Sequence, residues 1–221
     1  MDNSRSNVFV VDDDPDTCLA MSRLLRSAGY SVRTFGAATE FLAECNPDLG
    51  GCVLLDIAMP EFDGLEVQAM LNASGCHMPI IFLTGNGSIP MTVAAIRAGA
   101  VNFLTKPVTE SRLFEAVDEA LEIDAAERRN DRVRHALERR LDTLTPRERQ
   151  VLEQVVRGRL NKQIAAELGT VEKTVKVHRA RVMHKMGARS LAELVQLANV
   201  VGLFIRPSGS ANVIHVNTNG S

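Results

Sequence analysis

Long apolar runs are missing from this chain of 221 residues. Its most apolar stretches, "GCVLLD" at 51–56 and "PIIFLT" at 79–84, fall far short of the roughly 20 residues a membrane-spanning helix needs, so no membrane association is expected. Met1-Asp2-Asn3-Ser4 opens no basic-then-apolar signal segment, and the expected compartment is the cytoplasm. Metal-spaced cysteines are also missing. Cys18, Cys45, Cys52 and Cys76 have no ligand spacing, and in a reducing compartment they are expected to be small buried hydrophobes, with redox sensing as the alternative. A large net charge is missing too, but the value of −2 conceals a split. Residues 1–123 hold seven Lys and Arg against seventeen Asp and Glu, a balance of −10; residues 124–221 hold eighteen against ten, a balance of +8. An acidic half can hold a cation and a basic half a polyanion, so two domains with different partners are expected.

Five short runs rich in Val, Ile and Phe occupy the first half: 7–11, 31–35, 52–56, 79–84 and 101–105. Helical patterns separate them, the first over "PDTCLAMSRLLRSAG" with Leu19, Leu24 and Leu25 on one side. Apolar runs without alternation suit strands covered on both faces. Strand and helix alternate five times, which predicts a five-stranded parallel sheet with right-handed crossovers and helices on both faces, an α/β domain over 1–123. From about Ser111 a helical pattern runs on without Pro or Gly, and its polar stretch predicts a helical linker over 124–142, either a short coiled coil or a solvated single helix. "LTPRERQVL" then starts a small all-α domain of four helices over 143–205. Thr145 is its first N-cap, Pro146 its first helical residue, and Glu148 completes a capping box. Residues 206–221 read as a disordered tail.

In open sheets of this kind the ligand crevice lies beyond the carboxyl ends of the strands. Strand one ends in Asp12-Asp13-Asp14, strand three in Asp56, strand four in Thr84 and strand five in Thr105-Lys106-Pro107. Carboxylates, a hydroxyl and an amine thus meet at one rim. Oxygen-only ligands favour Mg²⁺ (or Mn²⁺), which neutralises the acids so that Asp56 can attack a phosphoryl group; Lys106 and Thr84 then supply positive charge and a donor. Any one of these residues is more often a cap or turn residue, and the shared register of all of them carries the reading.

"VFVVDDDP", "LLDIAMPEFDG", "IIFLTGNG" and "AVNFLTKP", with 43 residues from Asp13 to Asp56, 28 on to Thr84 and 22 on to Lys106, resemble the receiver domain of two-component response regulators. The resemblance implies a flavodoxin-like fold in which Asp56 accepts a phosphoryl group from a sensor histidine kinase. It implies a metal held by Asp12, Asp13, Asp56 and the backbone carbonyl of Ala58, a cis bond at Lys106-Pro107, a backbone turn allowed by Gly64, and a switch that couples Thr84 to Phe103. Ala58 stands where relatives often carry a polar residue, a departure that bears on the lifetime of the phosphate.

"NKQIAAELG", a turn at "TVEK" and "TVKVHRARVMHKMG" form a helix-turn-helix pattern. Val175, Val182, Met183 and Met186 are expected to face inward, leaving Lys173, Thr174, Lys176, His178, Arg179, Arg181 and Lys185 on exposed faces. The segment 143–200 resembles a LuxR-type helix-turn-helix, and with a receiver it marks the NarL/FixJ class, closest to its FixJ-like branch. The resemblance implies that Lys173, Thr174, Lys176, Val177 and Arg181 face the major groove of double-stranded DNA or its phosphates, and that Lys162 touches the backbone. It implies a homodimer formed on activation, a two-half-site operator, contact with RNA polymerase, and activation of transcription. The last helix, with Leu191, Leu194, Val195 and Ala198, is either a dimer contact or plain core. Two other readings stand beside this one: an Asp-nucleophile phosphatase, which lacks a second acid at Ala58, and a receiver that signals by protein contact only. The expected protein is a regulator and not an enzyme, beyond assisting its own phosphoryl transfer and dephosphorylation.

Overall fold

The computed structural model describes residues 7–85 and 89–203. The expectation of a disordered tail over 206–221 lies outside the described residues. The chain forms two compact units that divide between Asn130 and Asp131.

The first unit alternates β1 (Asn7–Val11), α1 (Pro15–Ser27), β2 (Ser31–Phe35), α2 (Ala38–Glu44), β3 (Cys52–Asp56), α3 (Gly64–Ala73), β4 (Ile80–Thr84), α4 (Ile89–Arg97) and β5 (Asn102–Thr105). α5 (Glu110–Asp142) then crosses the division between the units as one continuous helix. The strands are all parallel, in the order β2-β1-β3-β4-β5. Successive side chains point to opposite faces of a strand. Phe9, Val53, Leu55 and Phe82 therefore join one core with Phe41 of α2 and Leu71 of α3, while Val10, Leu54 and Ile81 join the other with Leu25 of α1 and Leu113 and Val117 of α5. Both faces are covered, so every residue of "CVLLD" is buried, the carboxylate included. Each fully buried Val, Leu or Phe contributes about 1.5–3 kcal/mol.

α1 departs from expectation. Of the three leucines expected on its inward side, Leu25 is buried and Leu24 packs partly against the core, but Leu19 is exposed, and Cys18 and Ser22 complete the inward stripe. The cysteines also divide. Cys18 and Cys52 are buried and free, as expected, whereas Cys45 is only half-buried and is joined by a disulfide to Cys76.

α5 stays attached to the first unit beyond residue 123. Asp124 accepts a hydrogen bond from the Gly51 amide at 3.1 Å, and Arg128, paired with Asp124, donates to the carbonyls of Asp48 and Leu49. In the second unit, Leu141 and Leu144 pack with α6 (Pro146–Val156), α7 (Asn161–Glu167), α8 (Glu172–Met186) and α9 (Leu191–Val200) around Val151, Leu152, Ile164, Val175, Val182 and Leu194. Thr145 and Glu148 form the expected capping box. Arg140 donates to the carbonyl of Met186 at 2.9 Å, closing the C-terminus of α8.

Candidate functional site

The sheet delivers five side chains to one rim. Asp12 and Asp13 follow β1, Asp56 ends β3, Thr84 ends β4, and Lys106 follows β5. Register fixes their heights: Asp56 pairs with Leu83, and Thr84 with Thr105. Asp12, Asp13 and Asp56 each offer a carboxylate oxygen within 4.8 Å of the others. Asp12 and Asp56 are buried and Asp13 is exposed, so the cluster opens to solvent on one side. The fourth acid, Asp14, is spent on capping α1 and on the Thr17 hydroxyl, which holds its carboxyl below the usual range.

The Lys106 ammonium sits between two of these acids, 2.6 Å from Asp12 Oδ2 and 3.1 Å from Asp56 Oδ1. Burial pulls the Lys106 pKa down, but the hydrogen bonds to Asp12 and Asp56 outweigh it and leave it raised. Burial pushes the Asp56 carboxyl up, against the pull of Lys106. A buried carboxylate with a neighbouring acid is costly unless cations compensate it. Lys106 supplies one, and three converging hard oxygen ligands suit a divalent ion as the other.

The basic helix α8 has its own division of labour. Val175, Val182 and Met186 are fully buried, and Lys173, Lys176, Val177 and Arg181 are exposed, with Thr174 half-buried. Lys162 is exposed in the first turn of α7. The exposed surface of α8 is thus mainly cationic, with Glu172 paired to Lys176 among the lysines and arginines, a composition suited to phosphate contact.

Family comparison covers both units. Residues 8–118 match the model for the response regulator receiver domain, and residues 142–198 that for the luxR family of bacterial regulatory proteins. "Nodulation protein W" of Bradyrhizobium diazoefficiens is 44% identical over 201 residues, which span 91% of this chain and 88% of that protein. The chain belongs to the two-component response regulators with a LuxR-type DNA-binding domain. The response regulator protein TodT of Pseudomonas putida is 45% identical over 89% of this chain and 87% of its own. The solved structure of response regulator StyR, 46% identical, superposes with a TM-score of 0.79 over 89% of this chain and 99% of that one. Full-length FixJ from B. japonicum, 38% identical, gives 0.55 over 92% and 100%.

Regulators of this family control transcription in a phosphorylation-dependent way and are not enzymes in the ordinary sense. No helix among the described residues of this one is long and apolar enough to cross a membrane. Lys106-Pro107 is cis. Ala58 meets Asp56 through its amide, which donates to Asp56 Oδ2 at 3.0 Å. Phe103 is half-buried against Phe82, its cross-strand partner, with ring centroids 6.4 Å apart.

Three members of α8 are not on the free face that the sequence suggested. Lys185 reaches Glu148 at 2.6 Å and the Thr143 carbonyl at 2.8 Å, Arg179 donates to Asn161, and His178 is half-buried. Helical spacing alone does not reveal that α6 and α7 cover that side. In α9, Leu194 and Ala198 are fully buried in the core and Val195 packs against it; Leu191 is the exposed one. Sequence reasoning also missed Asp124 and Arg128. A carboxylate and an arginine four residues apart inside a polar run were the available signal.

Proposed function

We propose that Asp56 is the phosphoacceptor of this regulator and that its phosphorylation by a cognate sensor histidine kinase controls a homodimer on double-stranded DNA. The observation that carries this is the Lys106 ammonium held between Asp12 and Asp56 beside a third carboxylate. An Asp56 oxygen attacks the phosphorus of a phosphohistidine, the P–N bond breaks, and the imidazole leaves with the electron pair. Lys106 offsets the charge of the transferred group, and Thr84 supplies a hydroxyl to it. Asp12, Asp13, Asp56 and the Ala58 carbonyl would hold Mg²⁺ (or Mn²⁺). Bound there, the ion supplies charge neutralisation between carboxylate and phosphoryl oxygens.

Phosphate on Asp56 draws Thr84 toward it, and Phe103 follows into the space released. This biases the α4–β5 face between two arrangements. On that face Ile89 is 82% exposed and Val93 and Ile96 are 43% and 45% exposed, which supports pairing of receivers on activation. Paired copies place two α8 helices on a two-half-site operator, with Lys173, Thr174, Lys176, Val177 and Arg181 at the groove and Lys162 on the backbone. In this reading the protein works in the cytoplasm, recruits RNA polymerase and activates transcription. The receiver, expected over 1–123, takes in Asp124 and Arg128 as well, and the remainder of the helical linker 124–142 leads into the DNA-binding domain over 143–205.

The test is selection of bound fragments from genomic DNA with Mg²⁺, with and without a small acyl-phosphate donor. Donor-dependent recovery of fragments that share a two-fold site is expected, together with its loss in Asp56→Asn. Equal recovery in both arms, or uptake of phosphate by Asp56→Asn at an unchanged rate, overturns the reading.

A further inference from the structure

The four cysteines are of two kinds. Cys18 and Cys52 are buried and free, and burial raises both thiols, that of Cys52 to about 12. Thiols held in that state are inert as nucleophiles. Cys45 and Cys76 lie 31 residues apart in sequence, one at the C-cap of α2 and the other just after α3, yet they are joined, with Cα atoms 6.6 Å apart. That separation is within the span a disulfide bridges without backbone movement. Their exposure differs: Cys45 is half-buried and Cys76 is only 2% exposed.

We infer that Cys45 and Cys76 form a reversible modification site, a dithiol oxidised by a low-molecular-weight disulfide and restored by a thiol reductant. Attack requires access, so the order follows from exposure. The Cys45 thiolate attacks one sulfur of the small disulfide, its S–S bond breaks, and one small thiolate leaves. The Cys76 thiolate then attacks the Cys45 sulfur of the mixed disulfide, and the second small thiolate leaves. The two protons released by the protein thiols pass to the two leaving thiolates. The protein is oxidised by two electrons and the small disulfide is reduced by two.

The bridge closes a ring over residues 45–76 that contains all of β3, Asp56 and all of α3. Cys45 precedes β3 and Cys76 precedes β4, so the fastening is at the amino ends of the strands, opposite the acidic rim. Both helices pack on the same core through Phe41, Leu42, Val67 and Leu71. Oxidation therefore ties together two helices that noncovalent packing alone holds in the dithiol state. The assignment is independent of the phosphotransfer reading, because none of the rim carboxylates takes part.

The test uses the full chain, reduced with dithiothreitol, desalted, and equilibrated across reduced-to-oxidised glutathione ratios. Samples are quenched in acid, unfolded, alkylated and read by peptide mass spectrometry. The expected result is loss of two alkylatable thiols per chain, one linked pair of peptides carrying Cys45 and Cys76, intact thiols at Cys18 and Cys52, and full recovery with dithiothreitol. Thermal unfolding of the oxidised receiver is expected roughly 5–15 °C above the reduced one. In Cys76→Ser, one glutathione is expected to remain on Cys45; in Cys45→Ser, Cys76 is expected to stay a thiol. Four alkylatable cysteines at every ratio, a lasting glutathione adduct on the unaltered chain, or oxidation at Cys18 or Cys52 in place of the pair overturns the inference. Uptake of glutathione by Cys76 in Cys45→Ser as fast as the bridge forms in the unaltered chain overturns the order of attack.

Discussion

Gly64 shows how closely the backbone is packed behind Asp56. The residues around it suggest a turn glycine, but the reason for it is proximity. A Cβ there would lie 2.8 Å from Phe82 Cε1 and 2.9 Å from the Asp56 carbonyl oxygen. Phe82 is fully buried in β4 and cannot yield, and the Gly64 amide already donates to Ile57 at 3.0 Å. Gly64→Ala is expected to cost about 1–3 kcal/mol of receiver stability by overpacking, and to slow phosphoryl uptake by displacing the Asp56–Ile57 peptide. Urea denaturation and uptake from an acyl-phosphate donor check the two effects separately. Asp56, Thr84 and Lys106 could be placed from sequence because a strand end is an unambiguous address. Lys185 could not, because a helix position is inward or outward only relative to neighbours that are remote in sequence.

Between elements, the tie that matters most in the DNA-binding unit is Glu148 of α6 with Lys185 of α8. Glu148 is almost fully buried, and the Lys185 ammonium, with the Thr145 amide, holds its pKa down at about 2. A carboxylate whose folded value lies below its unfolded value of 4.5 adds stability that is complete above pH 4.5 and is lost as pH falls toward 2. Stability of this unit in the full chain is therefore expected to decline across that window, and Glu148→Gln is expected to flatten the decline. At neutral pH the same substitution leaves a half-buried ammonium without its anion, and a loss of about 1–3 kcal/mol is expected in thermal or denaturant unfolding. The sequence offered Glu148 as a capping-box residue, which it is, but the longer reach to Lys185 spans 37 residues and has no periodic trace. The elements themselves were far easier to read. Strands covered on both faces show as unbroken apolar runs, so β1, β2 and β3 fall on the expected residues, and β4 and β5 each begin one residue later than expected.

For the whole molecule, charge is divided between an acidic unit with three carboxylates gathered at its rim and a basic unit with exposed cations along α8. The exposed cations Lys162, Lys173, Lys176 and Arg181 set the expected salt dependence of DNA binding. Four neutralised phosphates per copy give a slope of log affinity against log salt of roughly −3 to −4, and Lys176→Ala is expected to reduce its magnitude by about 1 per copy. Lys176 also pairs with Glu172 at 3.3 Å, a surface contact of small worth, so the substitution costs little stability. Titration of a labelled operator across a salt series measures the slope, and an unchanged slope would mean that this lysine faces away from the phosphates.

The attachment of α5 to the loop before β3 decides where the protein can be divided. A receiver cut after residue 123 forfeits Asp124 and Arg128, and with them the partners of the Gly51 amide and of the Asp48 and Leu49 carbonyls. A fragment ending at residue 130 keeps all three. The longer fragment is expected to be more stable by about 1–3 kcal/mol in urea denaturation, far more than seven surface residues would otherwise add. The autonomy of the receiver thus depends on residues that composition assigns to the linker, and the point at which the polar run begins is not the point at which the receiver ends.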